Sequence, residues 1–221
     1  MNNNINITKI LLLVFLCTIS FSANAQKVGE LFLSMPDKIL PTLSKQQRFE
    51  MLEYSKLNRR DSVRNKFNEY VSIQHYDSIN QLITFNTTKN NLTETKIFEM
   101  ENGSAVVAVI NTVLQPVRLS TIQFYNTTNW QPMLLFTDIP TAKQWLISEN
   151  TENADIDLDW LNKHLGNSYL SFTFSKEKPA IEVENHLVDF LSIEDKKIIA
   201  NLLSNKPLIY KLSHKQFVIS E

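Results

Sequence analysis

One cysteine, Cys17, and three glycines, Gly29, Gly103 and Gly166, are all that this 221-residue chain has of the two types. Three scattered glycines cannot build a GxGxxG turn, a phosphate loop or a GxSxG elbow, so dinucleotide-binding, P-loop and α/β-hydrolase motifs are excluded. Cysteine-zinc patterns and HExxH are absent as well. An excess of positive charge is lacking: 22 Lys and Arg stand against 23 Asp and Glu, and the formal net charge of −1 offers no basic field for nucleic acid or an anionic membrane surface. No apolar run reaches the roughly 20 residues that a membrane-spanning helix needs.

The longest apolar run, residues 10–19, follows Lys9 and leads into Ser-Phe-Ser-Ala23-Asn-Ala25. A short basic start, a short apolar stretch and small residues at Ala23 and Ala25 have the layout of a secretory signal peptide. Cleavage after Ala25 makes Gln26 the new N-terminus, with residues 26–221 as one domain. A lipoprotein signal would instead acylate Cys17, but Leu16 stands before it where a small residue belongs, and Cys17 lies inside the apolar run. The expectation is therefore a periplasmic or secreted protein without stable membrane insertion after cleavage. Its mature chain has no cysteine and gains nothing from an oxidising compartment. Its core must come from the 43% of hydrophobic residues.

What is present reads as α+β, with an antiparallel sheet of several hairpins packed against N-terminal, middle and C-terminal helices. Residues 28–35 suggest a short apolar helix and 37–43 a helical turn limited by Pro41. Ser44 with Gln47 three positions on predicts a capped helix to about residue 58, with Phe49 and Leu52 inward. From Glu69 the period becomes two. Strands are expected at 81–85, 94–100, 104–112 and 118–125, with a short piece at 130–135. Val106-Val-Ala-Val-Ile110 is apolar on both faces and predicts a central strand covered on both sides. Asn102-Gly103 predicts a hairpin turn. Asparagines at 68, 86, 90, 91, 126 and 129 take the turn positions that glycine would otherwise fill. A helix over 155–165 closed by Gly166, a loop over 150–154 and a hairpin over 169–175 and 180–186 follow. A helix capped by Ser192 with Ile198, Ile199, Leu202 and Leu203 inward, then a hairpin over 208–212 and 216–219, complete the reading.

The stretch Leu31-Phe-Leu-Ser-Met-Pro-Asp37, with Leu40-Pro41-Thr-Leu43 and Arg48, resembles a family of secreted Bacteroidales proteins known only as a domain of unknown function. Thr112-Val113, Pro116-Val117, Ile122-Gln-Phe-Tyr125, Trp130, Phe190-Leu-Ser-Ile-Glu-Asp195 and Pro207-Leu-Ile-Tyr210 are similar to it in the same order. Asn129 departs from an expected acid and Leu212-Ser213 from an aromatic turn. The resemblance implies export from a Gram-negative bacterium and carries no activity.

Three chemical candidates stand against simpler readings. Asp155-Ile-Asp-Leu-Asp159 has the start of a calcium loop but Trp160 and Gly166 at the positions that need Gly and Glu, so it reads as a helix start. Ser175-Lys-Glu-Lys178 matches SxxK at a hairpin turn, without KTG. Glu182, Glu184 and His186 alternate on one strand face, where two carboxylates and an imidazole could bind a ligand, hold a metal or exchange protons. Because Ile181 and Val183 alternate with them, an ordinary solvent face explains the same pattern. We expect these three to be replaceable at within about 0.5 kcal/mol each. The strand aromatics Tyr70, Tyr76, Tyr125, Trp130, Tyr169, Phe172 and Phe174 read as sheet packing. Asp61-Ser62-Val63 and Asp77-Ser78-Ile79 resemble the Asp-Ser-apolar acceptor of O-glycosylation in that bacterial group, which makes Ser62 and Ser78 candidates.

These absences lead to a non-enzymatic envelope protein that binds a partner protein or a small ligand, with no cofactor. A hydrolase with a Ser/His/acid site assembled in space is the first alternative, and a carrier of hydrophobic ligands the second.

Overall fold

The computed structural model describes residues 27–59, 61–136, 138–152 and 157–220. Cys17, Ala23, Ala25 and Gln26, and with them the leader, lie outside the described residues, as do Asp155 and Ile156.

The chain opens with helices α1 (Lys27–Ser34) and α2 (Lys45–Lys56). A small ribbon follows, β1 (Val63–Arg64) with β2 (Tyr70–Val71). Six strands then form one antiparallel meander in sequence order: β3 (Ile73–Asp77), β4 (Leu82–Thr88), β5 (Asn91–Glu99), β6 (Ala105–Val113), β7 (Leu119–Asn126) and β8 (Pro132–Met133). After a 3-10 turn over Ala142–Trp145 come α3 (Ser148–Glu152) and α4 (Leu158–Leu165). The last strands are β9 (Leu170–Phe174), β10 (Ala180–Asn185), β11 (Leu208–Ser213) and β12 (Gln216–Ile219), with α5 (Ile193–Ile199) between β10 and β11. They make a second antiparallel sheet in the order β12-β11-β10-β9. The α+β expectation is borne out, with two large sheets and the small ribbon in place of one sheet.

Alternation along the central strands generates two cores from one sheet. Val106, Ala108 and Ile110 of β6, with Phe98 and Phe124, face the second sheet and meet Phe172, Phe174, Ile181 and Phe217. Val107 and Val109, with Phe85, Ile97 and Tyr125, face the N-terminal helices and meet Val28, Phe32, Met51 and Leu52. The layers therefore run helices, six-stranded sheet, four-stranded sheet. Strand β6 is covered on both faces, as its apolar run requires. Phe98, Phe124, Phe136 and Phe217 stack or meet edge-on at centroid separations of 5.0–6.1 Å, which adds specific geometry to that burial.

Local signals explain the ends. Ser44 and Gln47 form the expected capping box on α2. Gly103 turns the β5–β6 hairpin at φ +77°. Gly29 lets α1 settle against the sheet, because a Cβ there would stand 3.0 Å from the Tyr76 hydroxyl.

Several expectations need correction. Phe49 is 49% exposed, and the inward face of α2 is Arg48, Met51 and Leu52. The guanidinium of Arg48 donates to the Met35 carbonyl at 2.5 Å, so a long polar side chain packs where periodicity suggested the aromatic. Helix α4 starts at Leu158, because Asp157 accepts from the backbone of Asp159 and Trp160 and caps it there. Gly166 ends it in right-handed geometry, at φ −70°. The start of the expected 150–154 loop belongs to α3. In α5 Ile199 is buried, whereas Ile198 is exposed. Left-handed turns fall on Asn58, Asn68, Gln81, Trp130 and His214, so of the suggested asparagines only Asn68 adopts that conformation. Tyr70 is exposed, and Tyr125, Trp130, Phe172 and Phe174 pack the cores. Among the described residues, no helix is long and apolar enough to cross a membrane.

Candidate functional site

Two places hold the chemistry. The first is the outer face of the second sheet. Strand β10 pairs with β9 so that Glu184 lies opposite Ser171 and Glu182 opposite Thr173. His186 follows β10, and its Nε2 sits 2.8 Å from Ser171 Oγ. Glu184 reaches the same hydroxyl at 3.4 Å, and its carboxylate is 3.9 Å from His186 Nε2. On the other side of the ring, Asp189 Oδ2 is 3.6 Å from Nδ1, and Lys196 is 3.7 Å from the same carboxylate.

Serine, imidazole and acid thus come together from β9, β10 and the turn over Leu187–Phe190. Glu184 and His186 belong to this cluster, and Glu182 stands further along β10. Ser171 was not singled out by the sequence, since a lone serine in Leu-Ser-Phe-Thr-Phe carries no signal of its own. The expectation of a plain solvent face fails for His186, which is 17% exposed and occupied by Ser171. Among the described residues, no three His, Cys, Asp or Glu side chains are grouped to hold a metal.

The arrangement is poor for nucleophilic attack. Ser171 is 1% exposed, beneath the groups that bond it. The separation of Asp189 from Nδ1 exceeds a hydrogen bond, so the ring is not oriented in the way a triad acid orients it. What the cluster does well is satisfy a buried hydroxyl.

The second place is an open groove of about 830 Å³. Residues 39–42, after α1, form one wall. The end of β6 and residues 119–123 of β7 form the floor, and Ser168, Leu170 and Phe172 close the far side. Leu170 and Phe172 alternate with Ser171, so the groove and the serine-histidine cluster lie on opposite faces of β9. None of the described residues lining the groove is ionisable. Its polar groups are hydroxyls and carboxamides such as Thr42, Asn111, Thr121 and Gln123, set among aliphatic side chains. Val113 and Ile139 line it while 46% and 60% exposed.

Away from both places, two buried ionisable side chains of β5 tie the sheets together. Lys96 donates to the carbonyls of Ser175 and Lys178 at 2.5 and 2.9 Å, holding the β9–β10 turn. Burial lowers its pKa. Glu94 is 7% exposed and accepts from the Phe174 backbone N–H. Burial pushes its carboxyl up to about 7, against the opposing pull of Arg118.

The family model described as "Protein of unknown function (DUF3256)" matches residues 20–217. The chain belongs to this family. A solved structure, that of a domain of an uncharacterized protein from Porphyromonas gingivalis W83, is similar with a TM-score of 0.70 and 22% sequence identity, covering 88% of this chain and 98% of that chain. At this identity the likeness carries the fold alone. No curated protein matches. The resemblance to an uncharacterised family is thereby confirmed, although the match does not single out the motif at residues 31–37.

Proposed function

We propose that this DUF3256 chain is an exported, non-enzymatic binding protein whose ligand occupies the uncharged groove along β7. The observation that carries this reading is the contrast between the two candidate places. The groove is open, roomy and partly apolar, with hydroxyls and amides that give orientation without charge. The serine-histidine cluster turns away from it and buries its only nucleophile. The Ala23-Asn-Ala25 boundary supports delivery to the envelope.

The test is a quantitative pull-down from envelope extract, comparing wild type with Thr121→Trp/Ser168→Trp. Both positions are exposed and line the groove, so the indoles fill it without entering a core. Loss of the captured partner by tenfold or more supports the reading. Full retention, with loss instead in Glu182→Ala/Glu184→Ala, would move binding to the outer face.

A hydrolase is the second reading, and the 2.8 Å contact between Ser171 and His186 is what favours it. It requires Ser171 to become accessible, which a serine-directed phosphonate probe reads directly. A carrier of hydrophobic ligands is the third reading, which the aliphatic lining of the groove favours, although of the strand aromatics only Phe172 lines it and is itself buried.

A further inference from the structure

Strand β7 is paired along its whole length with β6, but on its other side β8 meets it only at Phe124 and Tyr125. Asn126 fixes which groups point outward. Its N–H donates to the Gln131 carbonyl at 2.9 Å, and its carbonyl accepts from the Trp130 N–H at 3.0 Å, both on the β8 side. Alternation in an antiparallel ladder then directs the N–H and C=O of Phe124, Ile122 and Ser120 to that same edge. Beyond β8, Ser120 and Ile122 face the groove with these groups, and among the described residues neither pairs with another strand there.

Exposed edges invite pairing, and folds usually blunt them. Among the other edges of the two large sheets, those formed by β3, β8 and β12 are blunted here. Strand β3 is irregular between Ile73 and His75 and ends in Asp77. Strand β8 is two residues long and begins with Pro132, while β12 has four residues and follows Lys215. On β9, Glu94 occupies the Phe174 N–H. The open part of β7, Leu119-Ser-Thr-Ile-Gln123, has no charge, no proline and no bulge.

Resting on the groove as the binding site, we propose that its occupant is an extended, uncharged segment of a partner polypeptide that adds to β7 as a further strand. The uncharged lining fits this occupant, because an ionised side chain buried there would lose water without gaining a counter-charge. Five residues of strand span roughly 17 Å, so the free edge holds a segment of about five residues through main-chain bonds. Alternate side chains of that segment would reach Leu170 and Phe172 on one side, and the 39–42 wall on the other.

The probe is a random twelve-residue peptide library panned against the immobilised mature chain. Enriched peptides are then synthesised with single N-methyl groups. Expected are uncharged peptides whose affinity falls tenfold or more when alternate amides are methylated, with the intervening amides tolerant. Ser120→Pro, which removes an outward N–H and no bond to β6, should weaken binding tenfold. Ser120→Ala, which keeps that N–H, should stay within threefold. Thr121→Lys/Gln123→Lys, at two exposed positions, repeats the test without proline and should also weaken binding tenfold. Failure to enrich any peptide sensitive to Ser120→Pro or to the lysine pair overturns strand addition. Binding that is blocked by Thr121→Trp/Ser168→Trp but indifferent to N-methyl position overturns strand addition and leaves the groove reading intact. Peptides indifferent to both sets of variants remove the two together. A wild-type dimer in sedimentation that the lysine pair dissolves would give the edge to a second copy and likewise overturn the proposal.

Discussion

The hydroxyl of Ser171 lies 2.8 Å from His186 Nε2, at the outer face of β9 and next to the β10 residues that alternate with Ile181 and Val183. The contact has the members of a catalytic triad and the burial of a structural hydrogen bond, and burial decides between them. A serine 1% exposed cannot approach a carbonyl carbon without the sheet face opening. We therefore expect no labelling of the native protein by a serine-directed phosphonate, read by intact mass. Stoichiometric labelling that Ser171→Ala abolishes would establish the hydrolase.

The same contact separates the three residues of this face energetically. Glu182→Ala and Glu184→Ala should each change stability by within about 0.5 kcal/mol. His186→Ala should cost about 1–3 kcal/mol, because it leaves the Ser171 hydroxyl buried without its main partner. Adding Ser171→Ala to His186→Ala should recover part of that loss in chemical denaturation. Equal, negligible effects for all three substitutions would restore the plain solvent face.

Glu94 sets a pH dependence with a definite sign. Its carboxyl is held protonated in the native state up to about pH 7, whereas an unfolded chain releases that proton near the ordinary glutamate value of 4.5. Between these limits the native state binds more protons, so stability falls as pH rises. The contribution is complete below about pH 4.5, is lost through about 7 and levels above it, for a total of about 3 kcal/mol. Glu94→Gln keeps an acceptor for the Phe174 N–H and should flatten the slope of denaturant midpoints between pH 5 and 7. An unchanged slope would place the dependence elsewhere.

Lys96 gives the second sheet its other anchor. Lys96→Met keeps most of the stem and removes the donors to Ser175 and Lys178, so it should cost about 1–3 kcal/mol. Amide exchange in the 175–180 turn should rise. A variant as stable as wild type would show that the turn holds without it.

Ser62 is exposed, and Ser78 sits half-buried in a turn where Asp77 accepts from the Ile79 and Asn80 backbone. If the Asp-Ser pattern is an acceptor, Ser62 is the more accessible one. Intact mass of protein from the native host should then exceed that of Ser62→Ala by one glycan. The same spectrum checks whether the chain begins at Gln26, and equal masses after correction for the substitution would remove the glycan.

Much of the fold was legible because periodicity reports burial directly. Val106-Val-Ala-Val-Ile110 announced a strand covered twice, Asn102-Gly103 its hairpin, and Ser44 with Gln47 a helix start. The errors came where side-chain chemistry competes with period. Arg48 displaced Phe49 from the inward face through its bond to Met35, and Asp157 capped α4 later than the acidic run suggested. The division into two sheets was not legible, since local alternation does not say which hairpins join. The groove was hidden for the same reason: its walls come from residues 39–42, 119–123 and 168–172, and no motif links them. Ser171 became interesting only when the β9–β10 register placed it against Glu184 and near His186.

The measurement that bears most directly on the groove as the binding site is site-specific photocrosslinking in the native host. A benzophenone amino acid is placed at Thr121, on the open edge of β7, or at Glu182, on the outer face of β10. The account predicts a discrete crosslinked species from position 121 that Thr42→Trp/Ser168→Trp suppresses, and none from position 182. A species formed from 182 and absent from 121 would contradict it.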